Sequence, residues 1–348
     1  MKQFYSDVFQ YRGTHYDFGY YQGVQLRDSL ILPNREKQWG PKKDRHFLIN
    51  PEKFISIISQ FSPAILDEIY GLADALDTEM EEAFRLFGGY YLEYVRSGCS
   101  IFTDSDFMVR NYDSHPRGYE GRYLFYAPTD HGYATIGPSM QITGRIDGMN
   151  EKGLVMGYNF THSKNSDDGF LCNMIGRLIL ETCANVDEAV ALLKEIPHRQ
   201  SFSYVVLDPE GVSYVIEASP RKVVARRSNV CTNHFHLLDE ENRYRQEETR
   251  QREQTIQEQQ QYSTNPYEAF KVMNNPEHGV FSNKYDASAG TIHTSVYFPK
   301  ASKAWFVIGP DKKPVIFDFK KWLEGTDVNV KQIKGTLDYH RPFVNMGL

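Results

Sequence analysis

At Gly98 the apolar spacing of this chain changes period, and that change limits the folds it can adopt. Before it, Ile55, Ile58, Phe61, Ile65, Ile69, Leu72, Ala73 and Leu76 recur near helical intervals, broken around Ser62-Pro63. Asn50-Pro51-Glu52 supplies a start signal, with a capping side chain and proline at the first helical position. The spacing predicts that residues 1–98 are mostly helical, the aromatic-rich stretch from Phe87 to Val95 included. After Gly98, short apolar runs alternate with turn residues: Cys99 to Thr103, Phe107 to Tyr112, Tyr123 to Tyr126, Tyr133 to Ile136, Gln141 to Ile146 and Leu154 to Asn159. These read as strands, with Asp104-Ser105-Asp106 as a hairpin turn. Leu171 to Ala184 and Val186 to Ile196 read as two helices, the second capped by Asn185 with Glu188 completing a capping box. Strands resume from Ser203 to Asn233, a strongly polar helix is expected from Glu240 to Gln261, and late strands follow from Thr291 to Phe319. Blocks of strands separated by helices predict a layered α+β fold rather than alternating βαβ units.

Composition narrows the function classes. The chain has 348 residues, 41% hydrophobic, enough for a large core, and its net charge of −6 gives no reason to expect nucleic acid. No run approaches the ~20 apolar residues of a membrane span, so no membrane association is expected. The start, Met1-Lys2-Gln3-Phe4-Tyr5-Ser6-Asp7, lacks the apolar region of a secretory signal. Four cysteines (Cys99, Cys172, Cys183, Cys231) form no CxxC pair and are too few for a disulfide framework. A cytoplasmic protein with reduced thiols is the expectation. No His, Cys and carboxylate set has ligand spacing, so neither a metal nor a cofactor is expected.

Cys99 opens the first strand of a short hairpin whose return strand carries Arg110-Asn111-Tyr112-Asp113. A thiol, a guanidinium and a carboxyl can therefore converge through local structure alone. A single cysteine at a strand start is more often a small buried hydrophobe, so this hairpin does not by itself identify a site.

The wider pattern resembles a known family. Asp147-Gly148-Met149-Asn150-Glu151-Lys152-Gly153-Leu154, followed by Gly157-Tyr158-Asn159-Phe160, looks like choloylglycine hydrolases and penicillin V acylases, which are N-terminal-nucleophile hydrolases. Arg110-Asn111-Tyr112-Asp113 is similar to their Arg-Asn-x-Asp element, and Cys231-Thr232-Asn233-His234-Phe235 to their later Thr-Asn strand. The internal cysteine resembles the acyl-CoA:6-aminopenicillanic acid acyltransferase branch. So do Gly13 to Gly19 with Gln22-Gly23 and the helix containing Asp67-Glu68-Ile69-Tyr70-Gly71-Leu72-Ala73.

This resemblance implies an αββα sandwich in which residues 1–98 are a pro-segment or small chain and residues 99–348 the catalytic core. It implies self-cleavage of the Gly98–Cys99 bond, which would free the α-amine of Cys99. A thiol of pKa ~8.5 is mostly protonated at neutral pH, and an α-amine of pKa ~7.7–8.0 in the same residue can shuttle its proton. By the same resemblance, Arg110 would stabilise the thiolate and Asp113 would hold the new ammonium or thiol. Asn233 and Asn159 would supply the oxyanion site. A further arginine is implied after the Thr-Asn strand; here Arg243, Arg245, Arg250 and Arg252 compete, with Arg252 fitting a helix register slightly best.

Hydrolysis of a linear, non-peptide amide through an acyl-Cys99 intermediate is the leading expectation, with a small-molecule acyl amide as substrate. Acyl transfer from a thioester donor to an amine uses the same intermediate. A papain-like hydrolase is disfavoured because Cys99 begins a strand rather than a helix. A non-catalytic small-molecule binder on the same scaffold is disfavoured by the joint presence of Cys99, Arg110, Asp113, Asn159 and Asn233. A homo-oligomer is compatible with the sequence.

Overall fold

A computed structural model describes residues 2–39, 50–90, 98–163, 166–244, 246–260, 265–287 and 289–347. The chain opens with a strand, β1 (Lys2–Gly13), then runs through α1 (His15–Arg27), α2 (Ile31–Trp39), α3 (Pro51–Phe61), α4 (Ala64–Leu76) and α5 (Met80–Phe87). Asn50 caps α3 by accepting from the Lys53 N–H, with Pro51 at the first position as predicted. Residues 91–95 of the expected Phe87 to Val95 continuation lie outside the described residues. β1 is the element missing from a mostly helical reading of residues 1–98. Its burial alternates along Phe4, Ser6 and Val8, a period-2 pattern half hidden by polar residues on the outer positions.

From Ser100 the strands follow: β2 (Ser100–Thr103), β3 (Met108–Ser114), β4 (Arg122–Pro128), β5 (Thr135–Met140), β6 (Gly144–Arg145), β7 (Asp147–Asn150) and β8 (Val155–Phe160). The expected helix pair is α6 (Cys172–Thr182) and α7 (Val186–Glu195), the latter capped by Asn185 with Glu188 reaching back to it. Next come β9 (Phe202–Leu207), β10 (Ser213–Ala218), β11 (Val223–Arg227), β12 (Val230–Cys231), α8 (Gln246–Gln260) and α9 (Pro266–Asn274). β13 (Asn283–Lys284), β14 (Ala289–Phe298), β15 (Lys303–Ile308), β16 (Val315–Asp318), α10 (Phe319–Leu323) and β17 (Gln332–Leu337) complete the chain.

The strands form two sheets. One runs β11-β10-β9-β8-β7-β5-β4-β1-β17, with β6 against β5; the other runs β12-β2-β3-β14-β15-β16, with β13 against β14. Three apolar clusters define the layering. Ile142, Met156, Tyr158, Tyr204 and Ile216 of the first sheet's side pack with α3 to α7 residues such as Phe54, Ile69, Phe84, Met174 and Leu193. Tyr123, Ile136, Val155 and Val205 face Ile101, Met108, Tyr112 and Phe306 across the space between the sheets. Phe102, Val109, Val296 and Val307 of the second sheet cover Ile256 of α8 and Phe270 and Met273 of α9. Helices, sheet, sheet, helices is the αββα order, an α+β fold. Among the described residues, no helix is long and apolar enough to cross a membrane.

The N-terminal segment is built into this stack. β1 lies between β4, to which it is parallel, and β17, to which it is antiparallel. α1 and α4 meet so closely that a Cβ at Gly19 would overlap the Glu68 carbonyl oxygen, and one at Gly71 the Tyr16 carbonyl oxygen. Those glycines are what the Gly13 to Gly23 and Asp67 to Ala73 stretches contribute to the fold.

Candidate active site

Register decides how the hairpin residues meet Cys99. Ser100 pairs with Asn111 and Ile101 with Arg110. Side chains alternate across a strand, so Arg110 shares a face with Met108 and Tyr112, toward the space between the sheets, whereas Asp113 shares the opposite face with Val109. Arg110 and Asp113 therefore reach the two sides of Cys99, one the sulfur and the other the backbone.

On the inner side, Arg110 is fully buried and donates from Nη2 to Cys99 Sγ at 3.4 Å and to the Tyr158 carbonyl at 2.6 Å. Its Nη1 donates to Asp147 Oδ2 at 2.7 Å, and Tyr297 donates to Asp147 Oδ1 at 2.5 Å. Burial opposes the charge on Arg110, yet Cys99 and Asp147 outweigh it and lift its pKa above the usual value. Burial likewise works against Asp147, and His293 and Arg110 overcome it to keep the carboxyl below its usual value. The Asp147 to Leu154 stretch thus contributes Asp147, which carries the counter-charge of Arg110. It also contributes Asn150, which donates to the Leu180 and Cys183 carbonyls and shapes the following turn.

On the outer side, Asp113 is buried, accepts from Thr291 Oγ1 at 2.6 Å, and lies beside the Gly98–Cys99 bond. A Cβ on Gly98 would stand 3.6 Å from Asp113 Oδ2 and 3.8 Å from Arg252 Nη2. Burial pushes the Asp113 carboxyl up to about 7, with Arg252 and the Thr291 hydroxyl working against the rise. Arg252 of α8 joins the parts: Nη1 donates to the Cys99 carbonyl at 3.0 Å and to Ser100 Oγ at 2.7 Å, and Nη2 donates to Asn233 Oδ1 at 2.7 Å. Asp113 Oδ2 is 3.9 Å from Arg252 Nη1.

Of the predicted residues, Cys99, Arg110, Asp113 and Asn233 come together, and Arg252 joins them. Arg243 donates to the Glu240 and Asn242 carbonyls, Arg250 sits by Asp239 and Gln246 at the surface, and Arg245 lies outside the described residues. A signal for Arg252 was present. Thr249, Glu253 and Ile256 are the buried residues of α8, and Arg252 falls on the same stripe, three residues after Thr249 and four before Ile256.

The two asparagines differ from the expectation. Asn159 donates its amide to the Cys231 carbonyl at 2.9 Å, tying β8 to β12, so its amide is engaged by backbone. Asn233 must turn Oδ1 to Arg252, since a guanidinium only donates, and one N–H of its amide goes to the Phe160 carbonyl at 2.8 Å.

Cys172, Cys183 and Cys231 are buried, and burial pushes each thiol up to about 12. Burial thus keeps them in the thiol form rather than the nucleophilic thiolate. No disulfide links the four cysteines. One cluster runs against the expectation that no set of ligands assembles: His234, His236 and Glu253 each offer a ligand atom, all within 4.8 Å of one another. Glu253 arrives from a helix 17 residues after His236, a distance that local ligand spacing does not cover.

The sequence model of the acyl-coenzyme A:6-aminopenicillanic acid acyl-transferase family matches residues 102–313, beginning three residues after Cys99. No curated protein matches in sequence. Among solved structures, penicillin V acylase from Agrobacterium tumefaciens is 16% identical, covering 64% of this chain and 86% of that one at TM-score 0.45. A mutant conjugated bile acid hydrolase from Clostridium perfringens is 15% identical, covering 70% and 97% at TM-score 0.48. The Caenorhabditis elegans N-acylethanolamine-hydrolyzing acid amidase ortholog is 12% identical, covering 58% and 93% at TM-score 0.39. With more than half its residues matched by the one family model, this chain belongs to the acyl-coenzyme A:6-aminopenicillanic acid acyl-transferase family.

Proposed function

We propose that this protein is a self-processing cysteine amidase that cuts its own Gly98–Cys99 bond and then hydrolyses a linear, non-peptide amide of a small acyl compound. The observation that carries this reading is the two-sided setting of Cys99: its sulfur against Arg110, its backbone end against Asp113 and Arg252.

In the uncut chain the Cys99 nitrogen is an amide and cannot act as a base. Asp113, with a carboxyl pushed up to about 7, is the group suited to move the proton. Cys99 Sγ attacks the Gly98 carbonyl carbon as its proton passes through a water to Asp113, whose carboxyl lies on the other side of the strand. The C–N bond breaks, the Cys99 nitrogen takes the proton back, and a Gly98–Sγ thioester remains. Water hydrolyses it, leaving the Gly98 carboxylate and a free α-amine. That amine then serves as the base for turnover, while Arg110 stabilises the thiolate. In each round Sγ attacks the substrate carbonyl, the amine leaves with a proton, and water releases the acid from acyl-Cys99. Asn233 serves the oxyanion with its amide, a donor worth ~10²–10³ in rate; Asn159 serves it only after giving up the Cys231 carbonyl.

The matched family is named for an acyltransferase, which favours a second reading: an amine in place of water takes the acyl group from Cys99. Intact mass tests the first step, with fragments of 98 and 250 residues expected from the 348-residue chain. Cys99→Ala is expected to stay uncut and inactive, whereas Cys183→Ala is processed like the wild type. Turnover by a wild-type chain that remains uncut overturns the mechanism. Release of acid from penicillin V, conjugated bile acids and N-acyl amino acids, with and without an added amine, separates hydrolysis from transfer.

A further inference from the structure

The loop after β12 and the inner stripe of α8 meet twice. The first meeting is Asn233 with Arg252. The second, beginning one residue along on each side, is His234 and His236 with Glu253. We propose that His234, His236 and Glu253 form a binding site for one divalent transition-metal ion, zinc by ligand type, which clamps this loop to α8.

The ligand atoms stand almost where an ion needs them. His234 Nε2 is 3.1 Å from Glu253 Oε2, and His236 Nε2 is 3.0 Å from Glu253 Oε1. Two ligands at the ~2.0–2.1 Å of a tetrahedral zinc lie about 3.3 Å apart, so small rotations accommodate the metal. The two imidazoles stack with centroids 4.8 Å apart and planes 29° from parallel, which turns both rings edge-on to the same carboxylate. His234 is 1% exposed, yet its Nε2 makes no hydrogen bond of good geometry. Its near neighbour is the Glu253 carboxylate, and a metal ion between the two would take a lone pair from each.

Outer contacts hold the ligands in place. His234 Nδ1 lies 3.2 Å from both Thr232 Oγ1 and Thr249 Oγ1, so an Nδ1–H tautomer has two acceptors and Nε2 is left as the lone-pair nitrogen. The His236, Leu237 and Leu238 backbone N–H groups all donate to the buried Glu217 carboxylate at 2.8–3.0 Å, which fixes the loop that presents His236. The His236 side chain is 35% exposed, giving the ion an entry from solvent.

The site adjoins Asn233 and Arg252 in sequence, so its test reads binding rather than turnover. Chelator-treated intact protein is titrated with Co(II), followed by visible absorption and by metal content after gel filtration. One cobalt per chain is expected, with d–d bands of a nitrogen and oxygen site, displaced by Zn(II). His236→Gln, at the exposed edge, is expected to abolish stoichiometric binding. Thr232→Val, which removes a hydroxyl acceptor for His234, is expected to weaken it ~10–100-fold. Zn(II) should raise the melting temperature of the wild type and leave that of His236→Gln unmoved. Equal binding by wild type and His236→Gln, no binding by the wild type, or an intense sulfur-to-cobalt charge-transfer band overturns the proposal.

Discussion

Asp113 beside Cys99 and Glu181 under the N-terminal helices are both buried carboxyl groups, and their surroundings treat them in opposite ways. Around Cys99, burial leaves Asp113 at about 7, because Arg252 stands off at 3.9 Å and directs its hydrogen bonds to Cys99, Ser100 and Asn233. Under the N-terminal helices, Arg177 of α6 pairs with Glu68 of α4 at 2.7 Å and with Glu181 at 2.5 Å, and Gln22 of α1 donates to Glu68. His15 lies 2.7 Å from Asp130 and 3.5 Å from Glu181. Burial works against Glu181 too, but Arg177 and His15 hold its carboxyl down at about 2. Burial alone does not mark a reacting group. A carboxyl lowered by near cations stays charged across the neutral range, whereas one raised into that range is a candidate for proton transfer.

The comparison breaks most visibly at Asp113. Asp113→Asn should slow self-processing about 10²–10⁴-fold, the usual worth of an acid–base group. The wild-type rate should rise with pH through about 7 as the carboxyl ionises, and the variant should lack that rise. Stability should respond the other way. A carboxyl that ionises with difficulty in the folded state destabilises it as pH climbs from the ordinary value of 3.8 through 7, so the variant should be no less stable than wild type at pH 8. Rates come from intact mass against time after refolding; an unchanged rate with the inflection still present removes Asp113 from the mechanism.

The cluster around Arg177 should fail in the complementary manner. Glu68→Gln leaves Arg177 with Glu181 as its one buried carboxylate and should cost ~1–3 kcal/mol. The urea midpoint, measured in the uncut Cys99→Ala background, reads this directly. In the self-processing chain, under conditions where both proteins are folded, Glu68→Gln should leave the cleavage rate unchanged. A slowed rate would mean that the two clusters are coupled, and the contrast between them would lose its force.

Legibility in the sequence divides along the same line. The Cys99 hairpin was readable because its parts lie within 15 residues, and a turn forces them together. The αββα order followed from the family resemblance; the core clusters bear it out. Arg252, 153 residues after Cys99, needed the tertiary fold, although the Thr249-Glu253-Ile256 stripe of α8 already pointed inward. β1 was missed because its outer positions are polar and its partners, β4 and β17, are distant in sequence. Gly19 and Gly71 lie in the stretches that carried the N-terminal resemblance, but only the close packing of α1 on α4 explains them. The metal-ligand set escaped for the reason that Arg252 did: Glu253 reaches His234 and His236 from another element.

The smallest expected effect lies at His15. Burial opposes its protonation, but Glu181 and Glu68 outweigh burial and Arg177, and they raise its pKa from 6.5 to about 9. The folded state then holds a proton that the unfolded chain releases above 6.5. The resulting stabilisation is complete below 6.5 and is lost as pH rises through about 9. For so buried a ring it amounts to at most about 3 kcal/mol. His15 joins α1 to Asp130, in the loop after β4, and to Glu181 of α6, so the same loss should loosen the N-terminal fragment from the core once the chain is cut. Urea midpoints of wild type and His15→Gln at pH 6 and pH 9 isolate the effect, because changes from other titrating groups cancel in the difference. The gap between the two proteins should be widest at pH 6 and should narrow toward pH 9. A gap of constant width would show that His15 is neutral throughout. Glu181 would then be held down by Arg177 alone, and the scaffold cluster would owe its low carboxyl to one cation rather than two.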